Sequence, residues 1–212
     1  MDAFSALRRA MVDCQLRTYD VTDRAVLAAA DSVPREAFLP GELSHLAYLD
    51  QAVALPETGR GLMAPMVVAR MIQYLEVQPG ERALEYGGGS GYGGALLAAM
   101  GAVATLWEPD KAALALAGPA LAASGVDVTA TGQEPEKGSF DVVLVSGACE
   151  TSPESLFPLL APEGRMIAVI GLGRAARVML YQRSEGGVSG RPVFDASAPV
   201  IAEFRKVPAF SF

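Results

Sequence analysis

Apolar positions recur at helical spacing from the start of the chain. Phe4, Leu7, Met11 and Cys14 fall on one face, and Val26, Leu27 and Ala30 follow Thr22, which predicts a second helix with Thr22 as its cap. Pro40-Gly41 breaks the pattern, and a glycine-containing loop from Pro56 to Ala64 leads to Pro65 and an apolar helix ending near Leu75. These segments predict a helical cover rather than a sheet. After Pro79-Gly80, short apolar runs alternate with helical segments, the pattern of a mostly parallel sheet covered on both faces. Strands are predicted at Arg82 to Tyr86, Ala102 to Trp107, Val126 to Ala130, Phe140 to Ser146 and Arg165 to Gly171. Helices are predicted at Tyr92 to Met100, at Asp110 to Ser124, and from Ser152, with Pro153 in the first turn and Glu154 near the positive end. Beyond Gly171, a run at Ala176 to Arg183, a turn from Gly186 to Gly190 and a last run from Phe204 to Phe210 predict an antiparallel pair closing the sheet. The expected organisation is a helical cover over residues 1–78, ending in a loop and helix, and an α/β core over 79–212, packed as one unit.

Composition narrows the chemistry. With 51% hydrophobic and 19% charged residues the chain is expected to fold by itself. A net charge of -7 and no Lys/Arg stripe argue against nucleic acid as a partner. Arg8, Arg9, Asp13 and Arg17 interrupt the first segment, and no apolar run reaches the roughly 18 to 20 residues that span a bilayer, so a cytoplasmic protein without a membrane partner is expected. Cys14, Cys149 and the single His45 are too few for a disulfide framework, a metal site or Ser-His-Asp chemistry; they read as small buried thiols and a surface histidine.

The chemistry-bearing segment is Glu85-Tyr86-Gly87-Gly88-Gly89-Ser90-Gly91-Tyr92, between a predicted strand and a predicted helix. Gly87, Gly89 and Gly91 let the backbone turn tightly and approach a ligand with no Cβ in the way. Glu108, at the end of the next strand, is placed to accept hydrogen bonds from two ribose hydroxyls. Gly89-Ser90-Gly91-Tyr92-Gly93-Gly94 also fits the dinucleotide spacing G-x-G-x-x-G, but it begins too late after the strand. Glu85 at the strand tip would repel a pyrophosphate and attract a cationic amino group, which favours S-adenosylmethionine. The expected fold class is therefore α/β, a Rossmann-like S-adenosylmethionine-dependent methyltransferase fold.

Leu84-Glu85-Tyr86-Gly87-Gly88-Gly89-Ser90-Gly91-Tyr92 resembles the Leu-Glu-x-Gly-x-Gly-Ser-Gly-Tyr signature of the protein-L-isoaspartate (D-aspartate) O-methyltransferases. Met11-Val12, Gln15-Leu16-Arg17, Val33 to Pro40, Leu46-Ala47-Tyr48, Pro65 with Val67 to Met71, Phe140 to Val145, and Leu160 to Arg165 are similar to other parts of that family. The resemblance implies cofactor contacts from Glu85, Gly87, Gly88, Gly89, Ser90, Gly91 and Glu108, with an adenine contact near Gln133, where the family has an aspartate. It also implies a substrate site drawn from Arg60, Gly61, Leu62, Met63, Ser146 and Pro208, acting on damaged protein or peptide. The family loop reads Gly-x-Thr-x-Ser-x-Pro; aligned on Pro65, Gly61 replaces the threonine and Met63 the serine. Both hydroxyls are lost, and Arg60 is a candidate replacement donor for a substrate carboxylate.

Methylating a carboxylate needs no general base, since the nucleophile is already ionised near neutral pH. Two alternatives remain open at this level: a methyltransferase for a small acceptor lined by Leu62, Met63, Trp107 and Pro208 to Phe210, and a non-catalytic cofactor-binding protein.

Overall fold

The computed structural model describes residues 3–206. The expectations at Pro208 and along Val207 to Phe210 lie outside the described residues.

The cover begins with α1 (Ala3–Met11), which continues into a π-helical turn, Val12–Leu16. Met11, Val12 and Leu16 are buried, but Leu7 is 46% exposed and Cys14 is exposed, contrary to the regular helical face expected. Arg8 takes the inward direction instead, donating from Nε to the Asp31 carbonyl at 2.7 Å, and the wider π turn rotates Cys14 away from the core. α2 (Arg24–Ser32) is capped by Asp23, not Thr22: Asp23 Oδ1 accepts from the Ala25 and Val26 N–H groups at 2.7 and 3.2 Å. A carboxylate satisfies the same orphan donors as a hydroxyl and adds its charge at the positive helix end. Two 3₁₀ segments, Arg35–Phe38 and Gly41–Leu46, lead to a small antiparallel hairpin, β1 (Val53–Ala54) and β2 (Gly61–Leu62), that the helical reading of the cover omitted. α3 (Pro65–Leu75) opens on Pro65 as expected.

The core sheet has seven strands: β3 (Arg82–Tyr86), β4 (Val103–Trp107), β5 (Val128–Thr131), β6 (Phe140–Cys149), β7 (Leu160–Ile170), β8 (Arg177–Ser184) and β9 (Gly187–Asp195), in the order β5-β4-β3-β6-β7-β8-β9. β3 to β7 pair in parallel, whereas β8 and β9 are antiparallel. α4 (Tyr92–Ala99) and α5 (Lys111–Ser124) connect β3 to β4 and β4 to β5. The chain thus builds outward from β3 to one edge, then returns to β6 on its other side. The switch point lies at the carboxyl end of β3, where open α/β sheets leave a crevice.

Two expectations fail here. The helix expected from Ser152 is a six-residue 3₁₀ segment, Glu154–Leu159, with Pro158 inside it; the missing proline N–H prevents a longer α-helix. The closing pair is β8 with β9 around Glu185-Gly186, so residues expected as turn are strand, and the segment at Phe204 is a 3₁₀ turn, Ala202–Phe204. β9 is mostly exposed and lacks a clean alternation, which hid it in the sequence. Among the described residues no helix is long and apolar enough to cross a membrane.

One apolar cluster runs from Met11 through α2 and α3 to Val178, joining the cover to one sheet face; a second, with Tyr86, Val143 and Phe204, fills the other. Arg165 of β7 fastens α3 to the sheet. Its Nη1 and Nη2 donate to Glu81 Oε1 and Oε2, each at 2.8 Å, its Nη2 to the Glu76 carbonyl at 2.9 Å, and its Nε to the Leu75 carbonyl. Arg165→Ala is expected to lower the unfolding free energy by about 1–3 kcal/mol, read as a lower urea midpoint at unchanged slope.

Candidate active site

Glu85, next to last in β3, is 1% exposed. Its Oε1 accepts from the Gly93 N–H at 3.0 Å and the Ser146 hydroxyl at 2.6 Å, and its Oε2 from the Gly94 N–H at 2.7 Å. The carboxylate therefore sits on the first turn of α4, where unpaired N–H groups and the helix dipole favour negative charge. This accounts for the second pair of glycines in the sequence. A Cβ on Gly93 would lie 2.4 Å from Glu85 Oε1, and one on Gly88 2.1 Å from its carboxyl carbon. Gly93 and Gly94 make room for a protein carboxylate rather than completing a dinucleotide fingerprint. Burial pushes the Glu85 carboxyl up to about 6, against the pull of Ser146, Gly94 and Gly93.

Gly87, Gly89 and Gly91 all have positive φ, at 67°, 61° and 91°. A side chain on Gly89 would be strained in this conformation and would also meet Leu55 Cδ1 at 2.6 Å. The Gly89 N–H donates to Glu108 Oε2 at 2.8 Å, which fastens the turn to the end of β4. Ser90 points elsewhere: its hydroxyl donates to the Phe38 carbonyl at 2.6 Å, tying the turn to the cover. Gln133 is exposed, two residues past β5, on the same sheet edge as Glu108, whose N–H donates to the Thr131 carbonyl at 2.9 Å.

Glu108 is fully buried, and its main partner is Arg60. Arg60 Nε donates to both Glu108 oxygens at 3.0 and 3.1 Å, and Nη2 lies 2.9 Å from Oε1. Nη1 and Nη2 also donate to Glu203 at 3.0 and 2.8 Å. Burial opposes the charge on Arg60, but Glu203 and Glu108 hold its guanidinium above the ordinary value. Arg60, expected from the sequence as a donor for a substrate carboxylate, already has partners within the fold. It bridges two carboxylates, one of them on the 3₁₀ turn after β9, which no sequence motif marks. That terminal segment reaches the site because the Ala148 N–H donates to the Pro199 carbonyl at 2.7 Å and the Ile201 N–H to the Ala148 carbonyl at 3.0 Å.

Gly61, Leu62 and Met63 are buried beside the turn. A Cβ on Gly61 would lie 2.9 Å from the Val53 carbonyl, so the β1–β2 hairpin requires glycine where the family motif has threonine. Arg35, missed in the sequence reading, is completely buried; its Nη2 donates to the Met63 carbonyl and its Nε to the Ala47 carbonyl, each at 2.7 Å, and it stacks on Tyr92. Gly61, Leu62 and Met63 enclose a cavity of about 10 Å³ with Ser146, Glu85 and Gly88, room for about one water. A separate groove of about 820 Å³ lies between Ala64, Met66 and Val67 and the Ala198-Pro199 segment.

The residues fit an adenosine-bearing methyl donor. The turn presents backbone without side chains, and Glu108 is fixed to it, with Arg60 N–H groups on the accepting positions that two ribose hydroxyls would use. Together with the strand order this defines a Rossmann-like, S-adenosylmethionine-dependent methyltransferase. The profile of the family described as protein-L-isoaspartate(D-aspartate) O-methyltransferase matches residues 7–106. The protein-L-isoaspartate O-methyltransferase of Methylorubrum extorquens is 38% identical over 200 residues, covering 88% of this chain and 87% of that one. The chain belongs to this family. A solved structure described as a protein-L-isoaspartate O-methyltransferase superposes with a TM-score of 0.77 at 22% identity, covering 92% of this chain and 66% of that longer one. A Plasmodium falciparum structure assigned to the same enzyme, in complex with S-adenosyl-L-homocysteine, gives 0.73 at 19% identity, covering 94% and 98%.

Because Glu85 titrates higher when folded, about 6 against 4.5, the folded state binds the extra proton between those values. The stability it contributes is present below pH 4.5 and lost as pH rises through 6. Relative to Glu85→Gln, the wild-type unfolding free energy is expected to fall by about 2 kcal/mol across that window, measured by urea unfolding at each pH. Gly89→Ala is expected to weaken S-adenosylhomocysteine binding by at least about tenfold in calorimetry, since positive φ and the Leu55 contact together displace the turn.

Proposed function

We propose that the chain transfers the methyl group of S-adenosylmethionine to the side-chain carboxylate of isoaspartyl residues in damaged proteins, in the cytoplasm. In this reading residues 79–212 form the cofactor core and residues 1–78 the cover and acceptor loop. The observation that carries it is the cavity shared by the glycine turn and the acceptor loop, which brings Gly88 and Glu85 against Gly61, Met63 and Ser146.

The sulfonium supplies an already activated methyl group, and a carboxylate supplies an already ionised nucleophile. The protein's work is then positioning and exclusion of water. Glu108 and the glycine backbone hold the adenosyl portion. Glu85 offers a carboxylate whose Oε2 carries a single donor and can still accept from an ammonium group. Met63 and Leu62 close the acceptor side with apolar surface. The groove of about 820 Å³ that Ala64 lines, next in sequence to Met63 of the inner cavity, has the volume to take part of the peptide that carries the acceptor. His45, exposed on the cover, has no role in this scheme.

Incubation with labelled S-adenosylmethionine is expected to methylate an isoaspartyl peptide and leave its normal aspartyl counterpart unlabelled; equal labelling, or labelling of neither, would reject the assignment. Met63→Ser, which restores a donor beside the cavity, is expected to raise kcat/KM for the isoaspartyl peptide by roughly three- to tenfold, the value of one neutral hydrogen bond. Gly61→Thr is expected to lose stability instead, because of the Val53 carbonyl.

A further inference from the structure

The acceptor loop is fastened to the cofactor edge of the sheet by bonds that a bound ribose would contest. The Gly59 N–H donates to Asp110 Oδ2 at 2.9 Å, and Arg60 reaches over the turn to Glu108, its Cβ 3.3 Å from where a Cβ on Gly89 would stand. Glu108 Oε1 already receives Arg60 Nε and the Asp110 N–H, and Oε2 receives Arg60 Nε and the Gly89 N–H. Two hydroxyls cannot be added to this carboxylate while the guanidinium remains. The same loop, three residues further on, closes the acceptor cavity to about 10 Å³, too small for a carboxymethyl group.

Both obstructions are parts of one short segment, Gly59 to Met63. Displacing Arg60 from Glu108 removes one of the ties that hold this segment closed, the Gly59 bond to Asp110 being another. It also releases a guanidinium whose planar fork matches a carboxylate. The other buried arginine, Arg35, is committed to the Ala47 and Met63 carbonyls. The loop has lost both hydroxyls expected of the family, so a cation carried by the loop itself is the donor best placed to replace them.

Building on the isoaspartyl reading above, we propose that Arg60 is a shared ligand: it occupies Glu108 while the cofactor is away and, once the ribose takes Glu108, passes to the acceptor carboxylate. The protein then binds cofactor first and acceptor second, and Arg60 determines preference for an anionic acceptor. Glu203 holds the guanidinium near the turn in the first state and limits how readily it leaves.

The test measures two affinities whose changes have opposite sign. S-adenosylhomocysteine is titrated calorimetrically into the wild type, Arg60→Gln and Glu203→Gln, and an isoaspartyl peptide is then titrated into each protein with and without saturating S-adenosylhomocysteine. Arg60→Gln is expected to bind the nucleoside about tenfold tighter, because no population is lost to the closed state, and the peptide about tenfold weaker, with KM rising and kcat nearly held. Glu203→Gln is expected to tighten the nucleoside a few-fold and leave the peptide unchanged. Wild type is expected to bind peptide only when the nucleoside is present. A general loss of structure would weaken both ligands together, so it cannot mimic this pattern. Unchanged or weaker nucleoside binding in Arg60→Gln overturns the proposal, and if that variant does not fold, unchanged binding in Glu203→Gln does so. Tighter nucleoside with unchanged peptide affinity overturns the transfer to the acceptor. If wild type methylates no isoaspartyl peptide, the functional reading fails, whereas methylation with peptide binding independent of the nucleoside overturns only the order of binding.

Discussion

A carboxylate held against the first turn of a helix sets the geometry of this molecule. Glu85 projects from β3 onto the N–H groups of Gly93 and Gly94, and the absence of side chains at Gly88 and Gly93 lets it approach. Its burial is unfavourable, as the carboxyl pushed up to about 6 indicates, yet three donors keep it in place. Because Glu85 is one residue from the end of β3 and its partners open α4, the backbone between them has little freedom. Gly87, Gly89 and Gly91 take the left-handed conformations that this short path requires.

The second constraint comes from outside the turn. Glu108 is connected to the turn through Gly89 and to the acceptor loop through Arg60, while Arg60 is connected to the terminal segment through Glu203. Three stretches of chain far apart in sequence thus meet on one guanidinium. A buried ion group of this kind contributes little net stability, since the desolvation of its members offsets their attraction. Its value lies in specifying which segments lie together. Arg35 does comparable work beneath the loop by holding the Met63 carbonyl.

The chemistry follows from this arrangement. A preactivated donor and an ionised acceptor require orientation and dryness more than proton transfer. In the proposed scheme the buried glycine turn, the apolar Leu62 and Met63 and the covering hairpin supply those conditions. The departures from the family loop are also consistent locally: Gly61 is the residue the hairpin admits, and Met63 fills the space a smaller side chain would leave.

Much of the architecture was legible in the chain itself. The short apolar runs gave β3 with its observed limits, Pro65 and Leu75 bounded α3, and the glycines between a strand and a helix marked a tight turn, because these signals are local in backbone chemistry. Asp23 for Thr22 as cap, and the π turn that exposes Cys14, were errors of one residue or one turn, where neighbouring choices differ little in energy. β9 was hidden because an exposed edge strand need not alternate. The site divided along the same line. Glu85 and Glu108 were correctly placed at strand ends, but the sequence could not show that Gly93 and Gly94 make room for Glu85, or that Ser90 faces Phe38. Arg60 read alone as a donor for a substrate carboxylate; only the tertiary structure placed it between Glu108 and Glu203. Backbone propensity and periodicity are written over a few residues, whereas the pairing of buried charges depends on which distant segments the fold brings into contact.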